Sequence, residues 1–355
     1  MSDRPATHHP ATVRPATMRA GRILAPHQTT VADVPVPEPG PGEVLIEVAR
    51  AGICGTDLHI LEGDYQLARF PMTPGHEFAG IIVAVGEGVA ESRLGERVTA
   101  DPNLPCGLCV ECQRSAFNQC LDLATVGVSR DGAFARWVTV PERAVCGIAD
   151  LDFAEGALVE PLACVVWGLE RIRIHSGDHA LIFGAGPMGC LLAQAVAASG
   201  AAHVAIVDVA PSRLEMARSL GVDLAVTPDE LERLTAFAPN RFELVVDATG
   251  IPSVLEGALR HARPGGTVWV FGVAPGDAIA RISPYELFRR DLSLVGSFAV
   301  NQTVPRAVEM IRGGAVNVAP LVSHVLSIEE FGEGLRLAAE DPDRMKVQFS
   351  FAEES

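Results

Sequence analysis

The sequence predicts an α/β protein of two domains, a mainly β half followed by a doubly wound parallel sheet. Three observations carry that expectation. At 355 residues the chain is too long for one comfortable core. Residues 18 to about 150 break into short strands punctuated by turn residues. From about Phe153 helix and strand alternate, as parallel βαβ units require.

Residues 1–17, rich in Pro, Thr, Ala and His, read as a loose tail before Met18. PVPEPGPGEVLIEVARAGI (35–53) runs from a proline-stiffened segment into a strand, and GHEFAGIIVAVGEGV (75–89) reads as strand, glycine turn, strand. Beyond Phe153 the expected strands are HALIF (179–183), HVAIVD (203–208), FELVVDATG (242–250), TVWVFGV (267–273) and LSLVGSF (292–298), with helices such as PSRLEMARSLG (211–221) between them. The last 55 residues have helical texture and then a strand near KVQFSF (346–351). The expected division is a β-rich unit over 18–153, a parallel-sheet unit over 154–297, and a return to the first unit over 298–355.

Composition excludes some partners. With 48% hydrophobic and 20% charged residues the chain is an ordinary globular protein, and 28 Lys and Arg against 44 Asp and Glu leave a net charge of −16. That balance repels nucleic acid and anionic lipid. Ala180 to Ala202 has no charged residue and is long enough to span a bilayer, but its glycines and Pro187 favour a strand, a turn and a buried helix. No membrane role is expected.

Four of the eight cysteines fall in CGLCVECQRSAFNQC (106–120). The N-terminal residues have no apolar secretory core, so a reducing, cytoplasmic setting is expected. There the spacing C-x2-C-x2-C-x7-C brings Cys106, Cys109, Cys112 and Cys120 within reach of one tetrahedral zinc ion, a closed structural site. The plain alternative is four buried or paired cysteines without metal. Cys146, Cys164 and Cys190 sit singly in apolar runs and read as small buried side chains.

HALIFGAGPMGCLLAQAVAASG places Gly184, Gly186 and Gly189, with Pro187 and Met188 between them, after a predicted strand and at the start of a predicted helix. In that context G-x-G-x-x-G is a Rossmann dinucleotide turn, where glycine lets the backbone approach a pyrophosphate and the helix N-terminus faces its charge. Asp208 ends the next strand, where a carboxylate accepts from a ribose 2′-hydroxyl and repels a 2′-phosphate, so NAD is expected over NADP. Arg213 joins the expected cofactor contacts. A turn that merely packs helix on strand is the alternative.

In the β-rich half, GICGTDLHI (52–60) and GHEFAG (75–80) offer Cys54, His76 and Glu77, ligand types of a catalytic zinc with one open position. EPLAC places Glu160 at the junction of the two halves. Singly, Cys54 reads as a core thiol, His76 as a turn residue and Glu77 as a surface charge. Thr56 and Asp57 read equally as a helix cap.

Together these segments resemble the zinc-dependent medium-chain dehydrogenases from about residue 18 to 350, with GHEFAG similar to their zinc-site signature and GAGPMG to their cofactor turn. The resemblance implies a GroES-like catalytic domain, a Rossmann NAD domain, a dimer or tetramer, and oxidation of an alcohol by hydride transfer to NAD. Glu77 after His76, and EPLAC in place of a zinc-binding cysteine, resemble the polyol (sorbitol-like) and threonine dehydrogenase branch. It implies Cys54, His76 and Glu77 as ligands, with Glu160 as an alternate or water-bridging group. Thr56 and His59 match the family's proton path and Asp57 the acid that orients His76. A threonine-type enzyme and an inactive zinc- and nucleotide-binding regulatory protein are the alternative readings. One departure bears on substrate: in GSFAVNQT, Phe298 is kept while Ala299 and Val300 replace an Arg-Tyr pair, and Ile60 stands where Tyr is common. A secondary alcohol or a shorter or differently substituted polyol, such as a pentitol or its phosphate, is therefore expected, with Asn301, Gln302 or Arg130 as substitutes for the missing polar groups.

Overall fold

The computed structural model describes residues 14–351. The tail expected over 1–17 lies outside the described residues as far as residue 13, and a strand already begins at Thr17. That strand, Thr17–Ala25, pairs antiparallel with Gln28–Pro35 as a two-stranded ribbon.

A seven-stranded sheet follows the order Val322–Leu326, Lys346–Ser350, Glu43–Gly52, Glu77–Val85, Arg97–Ala100 and Val145–Gly147, with Trp137–Pro141 also paired to Glu43–Gly52. The last strand of the chain thus lies beside the first long one. Residues 75–89 differ from the expected strand, turn and strand. One strand runs Glu77–Val85 straight through Gly80, and the next begins only at Arg97. A Cβ on Gly80 would lie 2.1 Å from the Glu47 carbonyl oxygen, so this glycine permits close strand approach and makes no turn.

The second sheet has six strands, in the order Leu224–Val226, His203–Val207, His179–Phe183, Phe242–Asp247, Ala262–Val270 and Ser293–Gly296, every neighbouring pair parallel. Counted from His179–Phe183 this is the order 3-2-1-4-5-6 of a Rossmann sheet, whose crevice opens where the order reverses. The uncharged run from Ala180 resolves into the strand His179–Phe183, a glycine turn, and the helix Pro187–Ala198. Among the described residues no helix is long and apolar enough to cross a membrane.

Between the sheets lies the helix Val159–Leu169, which touches both the strand Glu77–Val85 and the helix Pro187–Ala198. It packs closely because residue 168 is glycine: a Cβ there would lie 1.9 Å from the fully buried Trp269 ring. Truncating Trp269 to Ala is expected to cost about 3–5 kcal/mol. The same helix carries Glu160 in its first turn, so core packing fixes where that carboxylate sits.

Candidate active site

A cleft of about 700 Å³ opens at the carboxyl ends of the parallel strands and is lined from both halves of the chain. Gly184, Gly186, Pro187, Met188, Gly189, Asp208 and Arg213 line one side, and Cys54, Thr56 and His59 the other. Three glycines serve three different ends. Gly184 has φ +100°, which favours glycine. A Cβ on Gly189 would lie 1.8 Å from the Gly184 carbonyl oxygen, so the helix meets the strand only without a side chain there. Gly186 caps the helix, and a Cβ on it meets nothing within 4 Å. The space over Gly186 is needed by nothing in the chain itself, which fits a pyrophosphate approaching from the cleft.

Asp208 follows the second parallel strand and is nearly buried. Its carboxylate accepts from the backbone N–H groups of Ala185 (2.6 Å) and Ala210 (2.8 Å), which ties it to the glycine turn. Arg213 Nε is buried without a partner.

Cys54 caps the helix Gly55–Glu62, and its backbone N–H donates to Asp57 Oδ2 at 2.8 Å. Asp57 therefore does cap this helix. It has a second task as well: its other oxygen, Oδ1, lies 3.7 Å from His76 Nδ1, and neither atom has a hydrogen-bond partner although both are buried. Burial disfavours a charged His76, but Asp57 and then Cys54 outweigh it and raise its proton affinity. Ligand atoms of Cys54, His76 and Glu77 lie within 4.8 Å of one another. The set fits a metal: thiolate, imidazole and carboxylate converge, and the unpartnered Nδ1 faces the carboxylate that would fix its proton when the other ring nitrogen binds an ion. Glu160 stands outside this trio, buried at the site's edge, where Cys164 Sγ donates to it at 3.4 Å. Burial pushes its carboxyl up to about 7, with His76 opposing and Glu77 adding.

Thr56 Oγ1 lies 3.7 Å from Cys54 Sγ. His59 Nδ1 meets both oxygens of Asp64 at 3.1 Å, a pairing the sequence did not suggest. Another residue missed is Lys346, whose ammonium donates to Glu77 Oε1 at 2.8 Å and Oε2 at 2.6 Å. A signal existed in the sequence: it is the only lysine in the chain.

None of the four lobe cysteines lines this cleft. Their Sγ separations are 4.0 Å for Cys106–Cys112, 3.5 Å for Cys109–Cys112 and 3.8 Å for Cys109–Cys120. Thiolates about 2.3 Å from a tetrahedral zinc stand roughly 3.8 Å apart, whereas a disulfide requires about 2.05 Å. The donor set fits zinc. Backbone N–H groups of Cys112 and Leu121 bring the Cys109 thiol down to about 6, while burial pushes Cys112 up to about 12.

Phe298, Ala299, Val300, Asn301 and Gln302 of GSFAVNQT, and Arg130, do not line the nucleotide cleft, and neither do His76, Glu77 or Glu160. Asn118 Nδ2 donates to the Phe298 carbonyl at 2.6 Å, Asn103 Nδ2 to that of Val300 at 2.9 Å, and Asn301 exchanges hydrogen bonds with Ser115 and Phe117. The segment is docked on the cysteine lobe by its own polar groups. Arg130 pairs with Glu43 at 2.9 Å, and Ile60 is fully buried in the β-rich core.

Comparison with known proteins agrees with this geometry. The family described as alcohol dehydrogenase GroES-like domain matches residues 40–150, and the zinc-binding dehydrogenase family matches 187–313. D-altritol 5-dehydrogenase of Agrobacterium fabrum is 40% identical over 329 residues, 91% of this chain and 96% of that protein. D-arabinitol dehydrogenase 1 of Uromyces fabae is 36% identical, over 86% of this chain and 88% of that one. A zinc-binding dehydrogenase target from Sinorhizobium meliloti, solved with NADP bound, superposes with a TM-score of 0.89 at 32% identity, covering 95% of this chain and all of that one. With an orphaned histidine nitrogen facing a buried acid beside Cys54, which lines the cleft together with the glycine turn, the chain belongs to the zinc-dependent medium-chain dehydrogenase family.

Proposed function

We propose that the chain is a zinc-dependent dehydrogenase that oxidises a secondary hydroxyl of a polyol with NAD. The observation that carries this reading is the shared cleft: Cys54, Thr56 and His59 face the same space as Gly186 and Asp208. The named activities of the altritol and arabinitol enzymes support a polyol of five or six carbons. The catalytic unit is residues 18–153 with 298–355, and the NAD unit residues 154–297. The lobe cysteines hold one zinc. Cys54 and His76, completed by Glu77 or Glu160, hold the other.

Zinc bound there supplies Lewis acidity to the substrate hydroxyl, and bound NAD accepts hydride. The chain's residues do the rest. Asp57 orients His76 and keeps its proton on Nδ1. Thr56, beside Cys54, is placed to receive the hydroxyl proton, and His59, part exposed and held by Asp64, to pass it outward. Asp208 faces the ribose and disfavours a 2′-phosphate.

Homo-oligomeric assembly is part of the proposal. Ile279, Tyr285 and Phe288 are exposed in the segment that precedes the edge strand Ser293–Gly296, a surface suited to a second copy making a dimer or tetramer. The cytoplasm fits eight unpaired thiols. A screen of hexitols, pentitols, their phosphates and threonine with NAD and zinc tests the reading. Best turnover on a polyol is expected, and best turnover on threonine would replace it.

A further inference from the structure

At the end of the parallel sheet opposite the cleft, two histidines stand side by side. His179 opens the strand His179–Phe183 and His203 opens His203–Val207, whereas Phe183 and Val207, at the far ends of those strands, line the cleft. The register pairs His179 with His203, so both side chains leave the same face of the sheet. Their ring centres are 4.8 Å apart, with the planes at 44° to each other. Phe237 meets both rings edge-on, at 5.9 and 5.8 Å.

Each ring has its own acid. His179 Nδ1 lies 3.9 Å from Glu243 Oε2, and His203 Nδ1 lies 3.8 Å from Asp223 Oδ1. Backbone N–H groups hold both carboxylates in place, that of His179 donating to Glu243 at 2.7 Å and that of Val204 to Asp223 at 2.8 Å. An acid facing Nδ1 favours the proton there and leaves the lone pair on Nε2, which is how metal-binding histidines are oriented. The spacing of the rings agrees. Two imidazoles whose nitrogens sit about 2.0–2.1 Å from one ion, at a right or tetrahedral angle, have ring centres roughly 4.5–5.2 Å apart. The side chains are 30% and 49% exposed, so an ion can arrive with the waters that complete its shell.

We propose that His179 and His203 form a further metal site, a two-imidazole clip for a divalent ion of the zinc, nickel and copper class, separate from the cleft and from the cysteine lobe. The ion would tie the first two strands of the Rossmann sheet together at the ends away from the cofactor.

The test is a zinc count by equilibrium dialysis on the full chain, comparing the unaltered protein with His179→Gln and with His203→Gln. One ion fewer per chain is expected in each variant. Because the count is a difference, it holds however many ions the cleft and the lobe take. An equal count in either variant would overturn the proposal, since the ion would then need only one of the two rings or lie elsewhere. Asp223→Asn keeps an acceptor for the Val204 N–H but removes the charge facing His203. It is expected to weaken binding of this ion about tenfold or more with the fold intact, and unchanged affinity would count against the clip as oriented by its acids.

Discussion

Asp57 Oδ1 and His76 Nδ1 face each other across 3.7 Å, each buried and each without another hydrogen-bond partner. In a well-packed protein two such orphans are expensive unless something fixes a proton between them. A metal held by His76 together with Cys54 would do so. Asp57→Asn keeps an acceptor for the Cys54 N–H but removes the charge facing His76. It is expected to weaken catalytic zinc binding by about 10- to 100-fold with the fold intact. Zinc titration with circular dichroism as the control checks this, and unchanged affinity would remove Asp57 from the metal site.

Gly186 and Gly189 should separate folding from cofactor binding. Gly189→Ala sets a Cβ against the Gly184 carbonyl oxygen at 1.8 Å and is expected to lower the melting temperature sharply without any ligand. Gly186→Ala points into open space and should melt like the unaltered chain, yet bind NAD at least about tenfold more weakly, as a filled approach path to the pyrophosphate requires. Calorimetric titration with NAD distinguishes the two. Equal loss of stability in both would show that the turn is only structural.

Asp208 is expected to give a double effect. Asp208→Ala should erode the preference for NAD over NADP and, because the Ala185 and Ala210 N–H groups lose their acceptor, cost about 1–3 kcal/mol of stability. The ratio of kcat/KM for the two cofactors, measured beside a denaturant melt, reads both. A relative solved with NADP sharpens this test, since NADP used as well as NAD by the unaltered chain would contradict the role given to Asp208.

A pH dependence arises at Asp101, which burial raises to about 6 against the backbone N–H groups of Asn103 and Gln302. A carboxyl raised on folding contributes its stability below its unfolded value near 4 and loses it as pH climbs through about 6. Asp101→Asn should therefore melt like the unaltered chain near pH 4 and above it at pH 7, by roughly 1–3 kcal/mol. Parallel melting curves across that range would contradict the assignment.

Cys109→Ser should remove the lobe zinc and lower the melting temperature while leaving turnover per folded molecule within about threefold, because none of the lobe cysteines lines the cleft. The lobe's hydrogen bonds to Phe298 and Asn301 belong to the stability it provides.

Short-range signals in the sequence were legible. The glycine turn, the strand before it and Asp208 follow from spacing alone, since backbone geometry dictates them locally. The cysteine lobe did too, as four ligands within one short loop need no tertiary information. Long-range choices were not. Phe298 and Val300 are 180 or more residues from Asn118 and Asn103, and nothing near GSFAVNQT says that the lobe holds it. Lys346 lies 269 residues from Glu77, and only the strand register brings them together. In residues 75–89 the same letter serves two ends: Gly80 leaves room for a neighbouring carbonyl, and Gly88, with φ +86°, makes the turn after the strand.

The central claim is that this cleft oxidises a polyol hydroxyl by zinc-assisted transfer to NAD. The most direct measurement is NADH formation from a hexitol and pentitol panel by protein stripped with a chelator, before and after one and then two equivalents of zinc per chain. The account predicts no turnover in the stripped protein and recovery on at least one polyol once zinc fills the Cys54–His76 site. Undiminished turnover without metal, or none on any polyol with both zinc sites filled, would contradict it.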